Sequence, residues 1–179
     1  MRHEVKSLKY TRKDFLNAPN KTIHIDEWIQ VEENDFLHQT QVKSIPEVHI
    51  TGTLQFDGSA FVFSNLDLAG TMIVPDSITD EDIDVAFDTK SQETYSFEPV
   101  EGENEEDIIV VKKDTIDINP AILQAILYEA PMSITRLPRD KYPKGDGWQL
   151  ISDADEQKPK IDPRWEKLNE FKLEDEEDN

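Results

Sequence analysis

Four basic side chains, Arg136, Arg139, Lys141 and Lys144, crowd into one short stretch, with Tyr142 among them and Trp148 just after. Cations hold phosphate and aromatic rings stack bases, so this is the one local patch whose residue types suit RNA or another partner contact. An ordinary solvated loop has the same composition, and both readings stay open. The other residue types that do chemistry are not arranged for it. His3, His24, His38 and His49 are scattered without zinc-ligand spacing, and there is no cysteine to supply a thiolate or a nucleophile. No Gly-x-Ser-x-Gly elbow, phosphate loop or dinucleotide glycine fingerprint occurs. The run Asp80-Glu81-Asp82-Ile83-Asp84 lacks the glycine and distal glutamate of a calcium loop and reads as a solvated acidic turn. Carboxylates are abundant, but nothing singles out an acid and base pair. No catalytic residue, metal ligand or cofactor is expected.

Charge narrows the partners. Thirty-nine acidic against 19 basic residues leave a net charge of −20, which disfavours non-specific attachment to DNA or to anionic lipid. Any RNA contact must then be local, at residues 136–144 or in residues 1–21, where basic groups outnumber acidic ones. The stretch Glu174 to Asp178 repels itself and has nothing to bury, which predicts a disordered acidic tail over 174–179 after a single domain over 1–173. The start has no apolar signal region and no stretch is long enough to span a membrane, so a soluble, cytoplasmic protein is expected.

The elements that must position these residues are mostly strands. Thr22 to Val31 predicts a strand broken at Asp26-Glu27. From Glu47, the residues Val48, Ile50, Gly52, Leu54 and Phe56 alternate with polar ones, the period of a half-buried strand. Asp57-Gly58 signals a turn, and Phe61 to Val74 alternates again, so the two runs should pair as a hairpin. Gly52 and Gly70 inside these runs predict bulges or bends. Pro75 ends the second run. A further strand pair is expected at Ile83 to Phe87 and Glu93 to Phe97, and short strands at Ile108 to Val111 and Ile116 to Ile118, with 101–107 as a solvated loop.

At Asn119-Pro120 the period changes. Asn as N-cap and Pro at the first helical position open a helix whose stripe is Ile122, Leu123, Ile126 and Leu127. Prolines and glycines impose an irregular path from Pro131 to Trp148, and Asp162-Pro163 opens a second helix with Trp165, Leu168 and Phe171. The fold class is therefore α+β: an antiparallel β-sheet or partial barrel with two short helices in the C-terminal part. Its core should hold Leu54, Phe56, Leu66, Leu68, Met72, Ile122, Ile126 and Leu127.

In order along the chain, Leu68-Ala69-Gly70-Thr71 leading to Val74-Pro75, Asp114 to Ile118 with Asp117 in it, Ala130-Pro131-Met132, Gly145-Asp146-Gly147-Trp148 to Ser152, and Ile161-Asp162-Pro163-Arg164 form a set. In this set, from about Ser7 to Phe171, the chain resembles the YceD family of large ribosomal RNA subunit accumulation proteins, in its low-GC Gram-positive form. Many relatives have a cysteine just after the proline matching Pro75, an arginine two residues later, and a cysteine after the Pro-Met pair. Here those places hold Asp76, Ile78 and, nearby, Arg136. A metal or redox role for such cysteines has no support in this chain, and a structural role must be met by other groups.

The resemblance implies a non-enzymatic factor in large ribosomal subunit assembly or ribosomal RNA accumulation. Its partner would be a basic ribosomal protein held against an acidic sheet, or a large-subunit RNA precursor touched through the basic segments. The acidic charge favours the first. The alternative from another class is an enzyme acting on RNA or a small molecule through surface carboxylates.

Overall fold

The computed structural model describes residues 8–31, 41–100 and 107–150. Its contacts divide the chain after Arg136 into two units. In the first, β1 (Lys9–Thr11), α1 (Arg12–Asn17), β2 (Thr22–Val31), β3 (Ser44–Phe56), β4 (Phe61–Pro75), β5 (Asp82–Ser96), β6 (Ile108–Val110), β7 (Thr115–Asp117) and α2 (Asn119–Tyr128) follow in order. In the second, a 3-10 turn at Arg139–Lys141 precedes the minimal hairpin of β8 (Lys144–Gly145) and β9 (Trp148–Gln149).

The main sheet runs β2-β3-β4-β5-β6. All its pairs are antiparallel except β5 with β6, which is parallel, so the sheet is mixed where a purely antiparallel one was expected. Among the described residues no pairing closes it into a barrel. The expected β3–β4 hairpin forms, because alternation gives both runs one apolar face and Asp57 organises the turn. Its carboxylate accepts the N–H groups of Ser59, Ala60 and Phe61 and the Ser59 hydroxyl.

Two expected breaks are absent. Asp26-Glu27 does not interrupt β2, because Asp26 points to the solvated face while Glu27 is half-buried on the other. Likewise β5 is one continuous strand of 15 residues in place of the separate Ile83–Phe87 and Glu93–Phe97 runs. Its polar middle, Asp88 to Gln92, keeps pairing with β4, since ladder bonds belong to the backbone and tolerate a polar stretch. Nor do Gly52 and Gly70 make bulges. The register shifts at Ile29/Val31 and Ser44/Glu47, whereas both glycines pair in register.

What the glycines supply is close approach. At Gly52 φ is +146°, and a Cβ would stand 2.9 Å from the Leu66 Cα and closer still to the Asn65 carbonyl oxygen. At Gly70 it would meet the Glu47 carbonyl oxygen at 2.6 Å and the Phe87 ring at 2.8 Å. Gly52→Ala is expected to cost about 3 kcal/mol, through overpacking and backbone strain together. A lower urea midpoint at unchanged m-value is the reading that checks it.

The buried face of the sheet carries Ile25, Val48, Ile50, Leu54, Leu66, Leu68, Met72, Val74, Ile83 and Phe87. Ile122 and Ile126 of α2 join this core, as expected, while Leu127 is only half-buried. The helix spans Asn119–Tyr128 with Ile118 at the cap position, so Asn119 lies inside it. It is Asp117 whose carboxylate accepts from the Asn119 backbone N–H and side chain, at 3.1 and 2.8 Å. The expected helix after Asp162 and the acidic tail lie outside the described residues.

A helix not anticipated from the sequence stands at the other end of the chain. Thr11 and Asp14 form a capping box at the start of α1, in which each residue's side chain accepts the other's backbone N–H. The Thr-x-x-Asp spacing was the available signal. This helix buries Phe15 among Tyr10, Phe56 and Phe97, and the Arg12 guanidinium covers the Phe56 and Phe97 rings at 5.8 and 5.7 Å.

Candidate functional site

The basic patch divides between the two units. Arg136 ends the first, with its backbone N–H bound by the Asp76 carboxylate at 2.8 Å. Arg139, Lys141, Lys144 and Trp148 belong to the second, all exposed. There the turn between β8 and β9 needs Gly147, at φ +79°, and the Trp148 indole lies against Gly145, where a Cβ would come within 2.7 Å of Cε2. Trp148 stays 58% exposed, enough of an open ring to stack on. Within 137–150, however, Asp140 and Asp146 offset two of the three cations. The local field is weakly positive at most.

A second surface, expected as an acidic sheet but with none of its residues named from the sequence, is the solvated face of the main sheet. Strand alternation places Asp26, Glu47, Asp67, Asp82, Asp84 and Asp88 on it. The lysines at this face are paired. Lys90 binds Asp67 at 2.9 Å, and Lys43 at the border binds Asp82 at 2.7 Å; each hydrogen bond holds its ammonium above the usual lysine range. His49 meets Asp26 at 2.8 Å and lies under Trp28, ring centroids 4.3 Å apart and planes 7° from parallel. Trp28 is 60% exposed, and Phe63 on the same face is also open to solvent. Glu47 and Asp84 form no ion pair among the described residues, and Asp88 acts on the Lys90 ammonium only through its charge. The signal was in the alternation, whose polar positions in β2 to β5 include six acids and one lysine, but only the register lays the four strands' charges side by side.

Asp76 is different in kind. It is buried, and its Oδ1 accepts the N–H groups of Ile78 and Thr79 at 2.8 and 3.0 Å. Its Oδ2 takes the Thr135 hydroxyl at 3.0 Å in addition to the Arg136 N–H. Burial pushes this carboxyl upward, but the donors from Ile78, Arg136, Thr79 and Thr135 outweigh it and hold the group far below the usual carboxylate range. With its oxygens engaged, it joins the loop after β4 to the segment after α2. This also leaves the most strongly shifted carboxyl among the described residues unavailable as a proton acceptor. Among the described residues no group of acidic or histidine side chains is arranged to hold a metal ion, and no helix is long and apolar enough to cross a membrane.

The remaining family-pattern residues fall at structural positions. Gly70 allows the close packing described above, Pro75 closes β4 and Asp117 caps α2. Pro131 and Met132 line a cleft of about 820 Å³ with Val74, Leu123, Leu127 and Tyr128. Asp162, Pro163 and Arg164 lie outside the described residues.

Residues 64–172, more than half of the chain, match the model of the family described as large ribosomal RNA subunit accumulation protein YceD. The chain belongs to the YceD family. It is also 28% identical over 174 residues to the uncharacterized protein YlbN of Bacillus subtilis (strain 168), covering 95% of this chain and 99% of that one. No solved structure matches it. The YceD match takes in most of β4, all of β5 and α2, the β8–β9 hairpin and the carboxylates Asp67, Asp82, Asp84 and Asp88. The Trp28–His49 stack precedes it and lies within the longer likeness to YlbN.

Proposed function

We propose that this YceD protein is a non-enzymatic factor for the accumulation of large-subunit ribosomal RNA, acting in subunit assembly by holding a basic ribosomal protein against the solvated face of its sheet. The observation that carries this reading is the charge of that face, six carboxylates whose neighbouring cations are already bound. Such a surface draws basic chains in and speeds their encounter, and it repels RNA. The family's description names large-subunit RNA accumulation, and a basic ribosomal protein kept from aggregating or misplacing itself before assembly serves that end. Ribosome assembly in turn places the protein in the cytoplasm. An enzyme acting through surface carboxylates is disfavoured, because Asp76, the carboxyl furthest from its ordinary value among the described residues, is consumed by structural bonds.

One observation favours a second route: the exposed Trp148 ring, in a hairpin that also carries Lys144, is open to stack on a base. An affinity pull-down from cytosol, half of it treated with RNase, separates the two. A basic ribosomal protein should survive RNase. The triple variant Asp67→Lys, Asp84→Lys, Asp88→Lys should cut its recovery by about tenfold or more, a loss of ~1.4 kcal/mol. Reversing Arg136, Arg139, Lys141 and Lys144 to Glu should leave it unchanged. If the second set of reversals abolishes association and RNase does the same, RNA at the basic loop is the contact.

A further inference from the structure

β5 is bonded to β4 along its whole length, but on its other edge β6 covers only Thr94 to Ser96. Among the described residues no strand pairs with that edge from Asp82 to Glu93. A long open edge presents a row of N–H and C=O groups ready to accept another strand. Beside it, between β5 and α2, lies a cleft of about 350 Å³ bordered by every residue from Thr89 to Glu93. Successive side chains of a strand point to opposite faces, so a cleft bordered by five in a row must run along the strand's edge.

The cleft has a definite chemistry. Ser91 is 3% exposed, and its hydroxyl has no hydrogen-bond partner. Such a group loses its bonds to water on burial and gains from any ligand that restores one. Glu93 contributes a carboxylate, and Glu129, which accepts the Thr89 hydroxyl at 2.9 Å, a second. The bordering cation, Lys90, points to the solvated face and is bound to Asp67. On the solvated side of the same edge stand Asp82, Asp84 and Asp88. Like charges opposite one another destabilise a strand pair, so this edge disfavours a second copy of itself and suits a basic strand.

We infer that an extended basic segment of a protein partner adds to β5 as a further strand, its backbone pairing along Asp82 to Glu93 and one of its lysine or arginine side chains entering the cleft beside Ser91, Glu93 and Glu129. Main-chain bonds supply affinity in such strand addition, and the pocket beside the edge supplies selectivity. The inference rests on the reading that the partner is a basic protein, and adds where and how it docks.

The test uses the full chain and two probes, a short peptide of alternating lysine and threonine and its counterpart methylated on every backbone nitrogen. Both carry the same charge, but only the first can donate to a strand edge. The unmethylated peptide should bind at least about tenfold more tightly, and it should slow hydrogen exchange of amides within Lys90 to Glu93 by about tenfold or more. Gln124→Arg, at an exposed position on α2 bordering the cleft, should weaken the unmethylated peptide by a similar factor while leaving the thermal transition in place. Equal binding of the two peptides with unchanged exchange would overturn strand addition and leave the acidic-face reading standing. If neither peptide binds and no basic ribosomal protein is recovered in the pull-down, the reading itself falls. Binding of an oligouridine in place of the peptides overturns both.

Discussion

Leu68→Asp should abolish the cooperative thermal transition above room temperature. Leu68 is fully buried at the centre of the sheet, between Ile50 of β3 and Thr89 of β5 in the ladder. The substitution removes a well-packed apolar side chain and places an unpaired carboxylate where no cation stands. The two effects together cost about 5 kcal/mol, on the scale of an entire domain's stability of ~5 to 15 kcal/mol. Asn65→Asp, on the same strand but facing solvent, should change stability by no more than about 0.5 kcal/mol. Circular dichroism melts of the two variants decide the point. Because side chains in a strand alternate, a register slip of one residue would exchange the two outcomes, and an unchanged transition in Leu68→Asp would mean that the sheet faces the other way.

The second large effect is expected at Asp76. Asp76→Ala strands the N–H groups of Ile78, Thr79 and Arg136 and the Thr135 hydroxyl without their acceptor, and it cuts the join between the loop after β4 and the segment after α2. The melting temperature should fall by on the order of 10 °C. Acid supplies a separate signature. The carboxyl's folded value lies well below its unfolded one, so its contribution is fully present above the ordinary Asp value of about 3.9 and is lost progressively as pH falls below it. The gap between wild type and Asp76→Ala should therefore be constant near neutrality and shrink in acid. A gap that stays the same down to pH 2 would show that the ionised carboxylate is not what the donors hold.

Much of the architecture could be read from the residues. Alternation in Glu47 to Phe56 and Phe61 to Val74, with Asp57-Gly58 between, was enough for the central hairpin. The stripe of Ile122, Leu123, Ile126 and Leu127 behind Pro120 was enough for α2. The two misplaced strand breaks share one cause, a polar stretch that resembles a loop. Asp26-Glu27 and Asp88 to Gln92 look like interruptions when only local composition is weighed, yet both stay in strand because paired neighbours satisfy their backbones. The glycines failed in another way. Gly52 and Gly70 looked like local bends, whereas what requires them is contact with Asn65, Leu66, Glu47 and Phe87, all distant in sequence.

The candidate sites divide along the same line. The basic run at 136–144 was visible because its members are neighbours in the chain, and its division between two units was not. The acidic face was visible as a net charge and an alternation, but not as a set of residues. By itself the sequence determined the periodicities, the excess of carboxylates, the absence of thiols and the family, since each is a property of residues near in the chain or of their sum. The tertiary structure alone decided which carboxylates share a face and that Trp28 stacks on His49. It decided too that Asp76 stands at Arg136 and that, among the described residues, no strand pairs with the β5 edge beside Ser91. Those facts depend on strand register and on packing between distant segments, which long-range pairing sets and local residue pattern does not encode.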